Sequence, residues 1–126
     1  MFNNIFFILH KPQLSENIGA CARAMKNFNF SKLIVINPKP IFPNDKIIAT
    51  SVGAQEIIKK SKVYENLEPA MKNIDFLIST TSRFRNKNIK HIKLNELNKI
   101  DFSKKIAFLF FALVRAVSIK TSPNSA

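Results

Sequence analysis

Two polar segments hold the residues with chemistry to offer. The first, His10-Lys11-Pro12-Gln13-Leu14-Ser15-Glu16-Asn17-Ile18-Gly19, runs into a helical stretch that carries Arg23. The second, Thr80-Thr81-Ser82-Arg83-Phe84-Arg85-Asn86-Lys87, continues to Lys90, His91 and Lys93, and no acid interrupts residues 83–93. A guanidinium forks onto phosphate oxygens, and a phenyl ring between two arginines stacks on an unpaired base. Arg83, Arg85 and Lys87 therefore read as a nucleic-acid contact in preference to a solvated loop, with Lys11 as a cation of the first segment. Arg23 taken alone reads as an ordinary surface arginine.

Other chemistries find less support. His10 and His91 have no metal-like spacing with each other or with carboxylates, so no metal is assigned to them. Cys21 falls on an apolar helical stripe and reads as a core thiol. Ser15 near His10 lacks the nucleophile-elbow motif that acyl transfer would require. The two glycines, Gly19 and Gly53, leave no glycine-rich phosphate loop and no dinucleotide fingerprint.

Charge narrows the partner. Lys and Arg number 20 against 8 Asp and Glu, a formal charge of +12. Such an excess favours a polyanion, nucleic acid first and an anionic membrane surface second. A competing source is base composition, because Asn, Ile, Lys and Phe all use A/T-rich codons. The membrane reading ranks last, since no basic amphipathic helix supports it. No apolar run approaches the roughly 18–20 residues needed to cross a bilayer. The amino terminus, Met1-Phe2-Asn3-Asn4, lacks the basic start and cleavage site of a secretory signal. A single cysteine excludes an internal disulfide framework. A cytoplasmic location is the expectation.

These segments need elements to hold them. Five short β-like runs occur at Ile5–Leu9, Leu33–Ile36, Lys62–Tyr64, Phe76–Ser79 and Ile106–Phe110. Several are continuously apolar, as strands buried on both faces of a parallel sheet must be. Between them, Ile18, Cys21, Ala22, Met25 and Phe28 recur at helical spacing over Asn17–Phe28, with Ser15 and Glu16 at its start and Asn29 as a left-handed cap. A second helix is predicted from about Asp45 to Lys60 and a shorter one over Leu67–Lys72. The three prolines of Asn37–Pro43 exclude both helix and central strand there. Strand–helix alternation predicts an α/β fold, a parallel sheet with helices on both faces. Ligands of such sheets gather at the carboxyl ends of the strands, where both polar segments fall.

The stretch Pro12-Gln13-Leu14-Ser15-Glu16-Asn17-Ile18-Gly19-Ala20-Cys21-Ala22-Arg23-Ala24-Met25-Lys26-Asn27-Phe28 closely resembles the first motif of the SpoU family. These are S-adenosylmethionine-dependent RNA ribose 2′-O-methyltransferases of the SPOUT class, whose Rossmann-like domain ends in a trefoil knot. Leu33–Pro38, Ala49–Ala54 and Ile78–Arg85 are similar to the segments that follow in family order, and the TrmJ branch, which acts on tRNA, is the most similar. The resemblance implies that Arg23 faces the target ribose and that Asn17 fixes that corner. It implies that Thr80 and Thr81 approach the S-adenosylmethionine cofactor, that Arg83 and Arg85 touch tRNA or rRNA, and that the protein is a homodimer without a membrane role.

The likeness stops near residue 110. The family's second motif, Phe-Gly-x-Glu, is absent after Phe110, where Phe111-Ala112-Leu113-Val114-Arg115-Ala116 stands instead. Asn, Ile, Lys and Phe supply 55 of residues 1–110 but 4 of residues 111–126. The expectation is an incomplete methyltransferase domain over 1–110, truncated before the knot, and an atypical tail over 111–126 read in a shifted frame. That would leave strand Ile106–Phe110 exposed at a sheet edge. Two functions stay open: an RNA ribose methyltransferase, or a catalytically inactive remnant that binds RNA through its basic loop.

Overall fold

The computed structural model describes residues 2–79, 101 and 103–111. Its elements run β1 (Phe2–His10), α1 (Ser15–Asn27), β2 (Phe30–Ile36), α2 (Asp45–Thr50), α3 (Gln55–Lys60), β3 (Lys62–Tyr64), α4 (Leu67–Ala70), β4 (Phe76–Ser79) and β5 (Ile106–Phe111). Thr80, Thr81, Arg83, Arg85, Lys87, His91 and nearly all of the 111–126 tail lie outside the described residues.

All pairings between the strands are parallel, in the order β3-β2-β1-β5-β4. The sheet is centred on β1, whose apolar run meets β2 on one side (Ile8 with Ile34) and β5 on the other (Ile8 with Leu109). Side chains alternate along each strand, so every central strand feeds two cores. On one face Leu9, Leu33 and Val35 pack beneath α1, α2 and α3 through Ile18, Ala22, Met25, Ile47 and Ile57. On the other Ile8, Ile34, Ile36, Ala107 and Leu109 pack with Ala70 and Leu67 of α4. Helices thus cover both faces, as expected from the sequence.

Three expectations are corrected. The predicted helix over Asp45–Lys60 is two helices, because Gly53 takes a left-handed φ of 81° in the turn between them. Phe28 is not core: it caps α1 beyond the last helical turn and is 70% exposed. Ser15 and Glu16 begin α1 as the sequence predicts, after Leu14 as a cap residue without a side-chain hydrogen bond. The strand at 106–111 is not an edge. It lies between β1 and β4, so among the described residues the edges are the short strands β3 and β4. Asn29, with φ 64°, is the left-handed residue that the sequence predicts.

Candidate nucleic-acid interface and catalytic helix

The carboxyl edge is built from three connections tied together by backbone. Lys11 leaves β1 with a φ of 55°, a conformation that costs a lysine about 1 kcal/mol or more. It is pinned there by its N–H, which donates to the Ile36 carbonyl (2.7 Å), and by Gln13 Nε2, which donates to its carbonyl (3.2 Å). Lys39 N–H donates to the Pro12 carbonyl (2.9 Å), and Asn37 N–H to the Tyr64 carbonyl (2.8 Å). The loops after β1, β2 and β3 therefore form one rigid rim with an exposed Lys11 on it. Beside it, His10 is held below the usual imidazole range, by burial first and by the Lys11 charge second. At neutral pH it is an uncharged ring.

Asn44 is the residue that sequence reasoning missed. Its Oδ1 accepts from Ile47 N–H (2.8 Å) and caps α2, while its Nδ2 donates to Ser15 Oγ (3.0 Å) and the Ile41 carbonyl (2.9 Å). One amide thus joins the starts of α1 and α2. A Lys46–Glu16 ion pair (3.1 Å) closes the same junction on the outside.

Gly19 sets how closely the two helices pack. A Cβ at this position would stand 2.1 Å from Thr50 Oγ1 and 2.8 Å from the Thr50 carbonyl carbon. No side chain fits, so α2 ends against the backbone of α1. The turn after it, Val52-Gly53-Ala54, reaches the next turn of α1, where it lines a shallow recess of about 220 Å3 together with Arg23, Lys26 and Asn27. Arg23 and Gly19 are four residues apart and so share a helix face. Among the described residues the ion pairs are Lys46–Glu16 and Lys60–Glu56, and neither includes Arg23 or Lys26. The recess joins a guanidinium, an ammonium and an amide with no paired acid, a set suited to a phosphate or a developing oxyanion.

The structure brings some of the expected residues together and not others. Lys11 is on the carboxyl edge, and Asn17 is half-buried in the first turn of α1. Arg23 lies eight residues beyond Ser15, about 12 Å along the helix axis and about 120° around it from Asn17. The two motif residues do not share a face within one chain. Cys21 is half-buried against the helical core, and burial pushes its thiol up to about 12. It is an inert thiol, as expected.

A sequence profile of the SpoU rRNA Methylase family matches residues 4–110, which cover α1, the recess and nearly all of the sheet. The chain belongs to the SpoU methylase family. A tRNA (cytidine-2′-O-)-methyltransferase TrmJ of Methanocaldococcus jannaschii is 34% identical over 91 residues, covering 71% of this chain and 39% of that protein. Among solved structures, a probable methylase family protein of Haemophilus influenzae matches with a TM-score of 0.75 at 29% identity, over 87% of this chain and 46% of that one. TrmJ from Z. mobilis matches with a TM-score of 0.71 at 26% identity, over 84% of this chain and 48% of that one. The chain therefore spans less than half the length of each of these SpoU-type proteins. The α/β fold with a parallel sheet is the SPOUT fold of these relatives, and the family's chemistry is RNA 2′-O-methylation.

Proposed function

We propose that this chain serves S-adenosylmethionine-dependent 2′-O-methylation of tRNA ribose, with Arg23 as the group that meets the reacting hydroxyl. The observation that carries the reading is the recess itself, in which α1 presents Arg23, Lys26 and Asn27 on a face kept open by Gly19 and free of paired acid among the described residues. A ribose hydroxyl is a weak nucleophile, and a fixed cation beside it stabilises the alkoxide that develops as its proton leaves. When bound, the cofactor's sulfonium supplies the electrophilic methyl. Thr80 and Thr81, which follow Ser79 at the carboxyl end of β4, are the residues proposed to hold it. Lys11, Arg83, Arg85 and Lys87 are proposed to take the RNA backbone, and Asn17 to hold the first turn of α1 in place. The described edge fits this role in part, offering His10, Lys11 and Asn37 on a rigid rim. A homodimer belongs to the reading, because Arg23 lies far along α1 from its own carboxyl edge and a second copy offers another.

The test is single-turnover methyl transfer to unfractionated tRNA, alongside calorimetric titration of S-adenosylmethionine into the folded chain. Arg23→Ala should lower the transfer rate on the order of 10²–10³-fold, with tRNA affinity changed less than tenfold, and Arg23→Lys should restore part of the rate. Equal rates in the parent and Arg23→Ala would reject the assignment. Binding of tRNA with no transfer by the parent would leave RNA binding as the function of this chain.

A further inference from the structure

The charge of the described residues does not gather at the carboxyl edge of the sheet. At the carboxyl edge, Lys11, Lys39 and Lys46 stand against Glu16, Asp45, Glu65 and Glu68, a near balance. At the opposite edge, where strands begin and helices end, eight lysines are exposed. Three of them, Lys26, Lys59 and Lys60, occupy last helical turns, where a cation complements the helix dipole and needs no other reason. The other five have no such reason. Lys62 opens β3, Lys32 lies in the first half of β2, Lys104 and Lys105 lead into β5, and Lys72 precedes β4.

The acids at this edge, Glu56, Asp75 and Asp101, offset only part of the charge of eight lysines. Asp75 accepts from Lys105 backbone N–H (3.0 Å), and Asp101 accepts from Ser103 N–H (3.0 Å) and Oγ (2.6 Å). Those serine hydrogen bonds, with the nearby Lys104 charge, hold Asp101 below the usual carboxylate range. Glu56 is taken by Lys60 (3.0 Å). The strand order spreads the five lysines from β3 to the β5–β4 side, a span of about 19 Å at the usual strand spacing. Duplex nucleic acid presents one charge about every 1.7 Å of axis, so a rim of this length faces on the order of ten phosphates.

We propose that the amino-terminal rim of the sheet, through Lys32, Lys62, Lys72, Lys104 and Lys105, is a second RNA-backbone contact, opposite the edge that carries Lys11. It rests on RNA being the substrate and extends the contact beyond the recess of Arg23 and Lys26 to five lysines that line no part of it. A folded RNA longer than the reacting nucleotide is its partner. A membrane surface fits less well, because the exposed apolar residues near this rim are spread out: Phe28 (70%) at the end of α1, and Val63 (49%) and Phe76 (48%) on opposite edge strands.

Lysine acylation footprinting by mass spectrometry, on the 126-residue chain with and without unfractionated tRNA, tests this. We expect tRNA to slow acylation of Lys32, Lys62, Lys72, Lys104 and Lys105 at least threefold, and of Lys39 and Lys46 little. Protection of Lys11 with no change at the rim would overturn the proposal and leave the methyltransferase reading intact. Protection of neither edge would overturn both. Equal protection of the rim by phosphatidylglycerol vesicles and not by tRNA would replace RNA with a lipid surface and also overturn it. The triple substitution Lys32→Glu, Lys62→Glu and Lys105→Glu, all at exposed positions, should flatten the salt dependence of tRNA binding by roughly three in log–log slope. An unchanged slope in a variant that melts like the parent would count against the proposal.

Discussion

At the scale of single residues, two backbone positions show where local energetics yielded to another demand. Lys11 sits in a conformation that favours Gly or Asn, and three hydrogen-bonded loops hold it there. Lys11→Gly should leave the melting temperature unchanged or higher while weakening tRNA binding. A lower melting temperature with unchanged binding would show that the side chain serves the fold. Gly19 is the reverse case. Gly19→Ala gains about 1 kcal/mol of helix propensity, but it drives a methyl into Thr50, and overpacking of that kind costs about 1–3 kcal/mol. Net destabilisation in thermal melts is expected, together with slower methyl transfer as the 51–54 turn moves away from Arg23. Cys21 offers a pH test. Its folded thiol is raised by burial to about 12, so the neutral form is the one the fold favours. Its contribution to stability is complete below about pH 8.5, the usual thiol value, and is lost as pH rises from there towards 12. Cys21→Ala should flatten that alkaline decline, and thiol labelling of the parent should require unfolding.

At the scale of elements, the strands were legible because buried parallel strands are nearly continuous apolar runs, and all five match within a residue at one end or both. Asn29 was legible as well, since only a few residue types tolerate a left-handed helix end. The break in Asp45–Lys60 was not, because a lone glycine in a helical pattern is ambiguous until its φ is known. Nor was Asn44, whose partner Ser15 is 29 residues away. The recess beside Arg23 had one visible signal: Gly19, one of two glycines in the chain, inside an otherwise strong helix. Asn44→Ala should cost about 1 kcal/mol, the usual worth of an N-cap. Asn44→Asp keeps the cap oxygen but loses both Nδ2 donations, so it should recover only part of that loss in denaturant melts. Full recovery would show that the link to Ser15 contributes nothing.

At the scale of the whole molecule, composition told of a polyanion but not of its place. Arg83, Arg85 and Lys87 form the basic segment that the sequence displays most plainly, whereas the rim lysines are scattered over 74 positions of chain, from Lys32 to Lys105, and only the strand order gathers them. The same order buries β1 in the middle of the sheet. Ile8→Ala, at a fully buried position touching both neighbours, should cost about 2–5 kcal/mol.

The central place of β1 also has a consequence in time. Asn4 Nδ2 donates to the Lys104 carbonyl across 100 residues of chain, and every pairing of β1 with β5 spans a similar gap. A ribosome adding roughly 5–20 residues per second delivers β1 on the order of 5–20 s before its second neighbour. During that interval β1 can pair with β2 beneath α1, but its other side is an open row of peptide groups flanked by Ile5, Phe6, Phe7, Ile8 and Leu9. The nascent chain thus passes through a stage in which its central strand is half-matched, a natural moment for chaperone engagement.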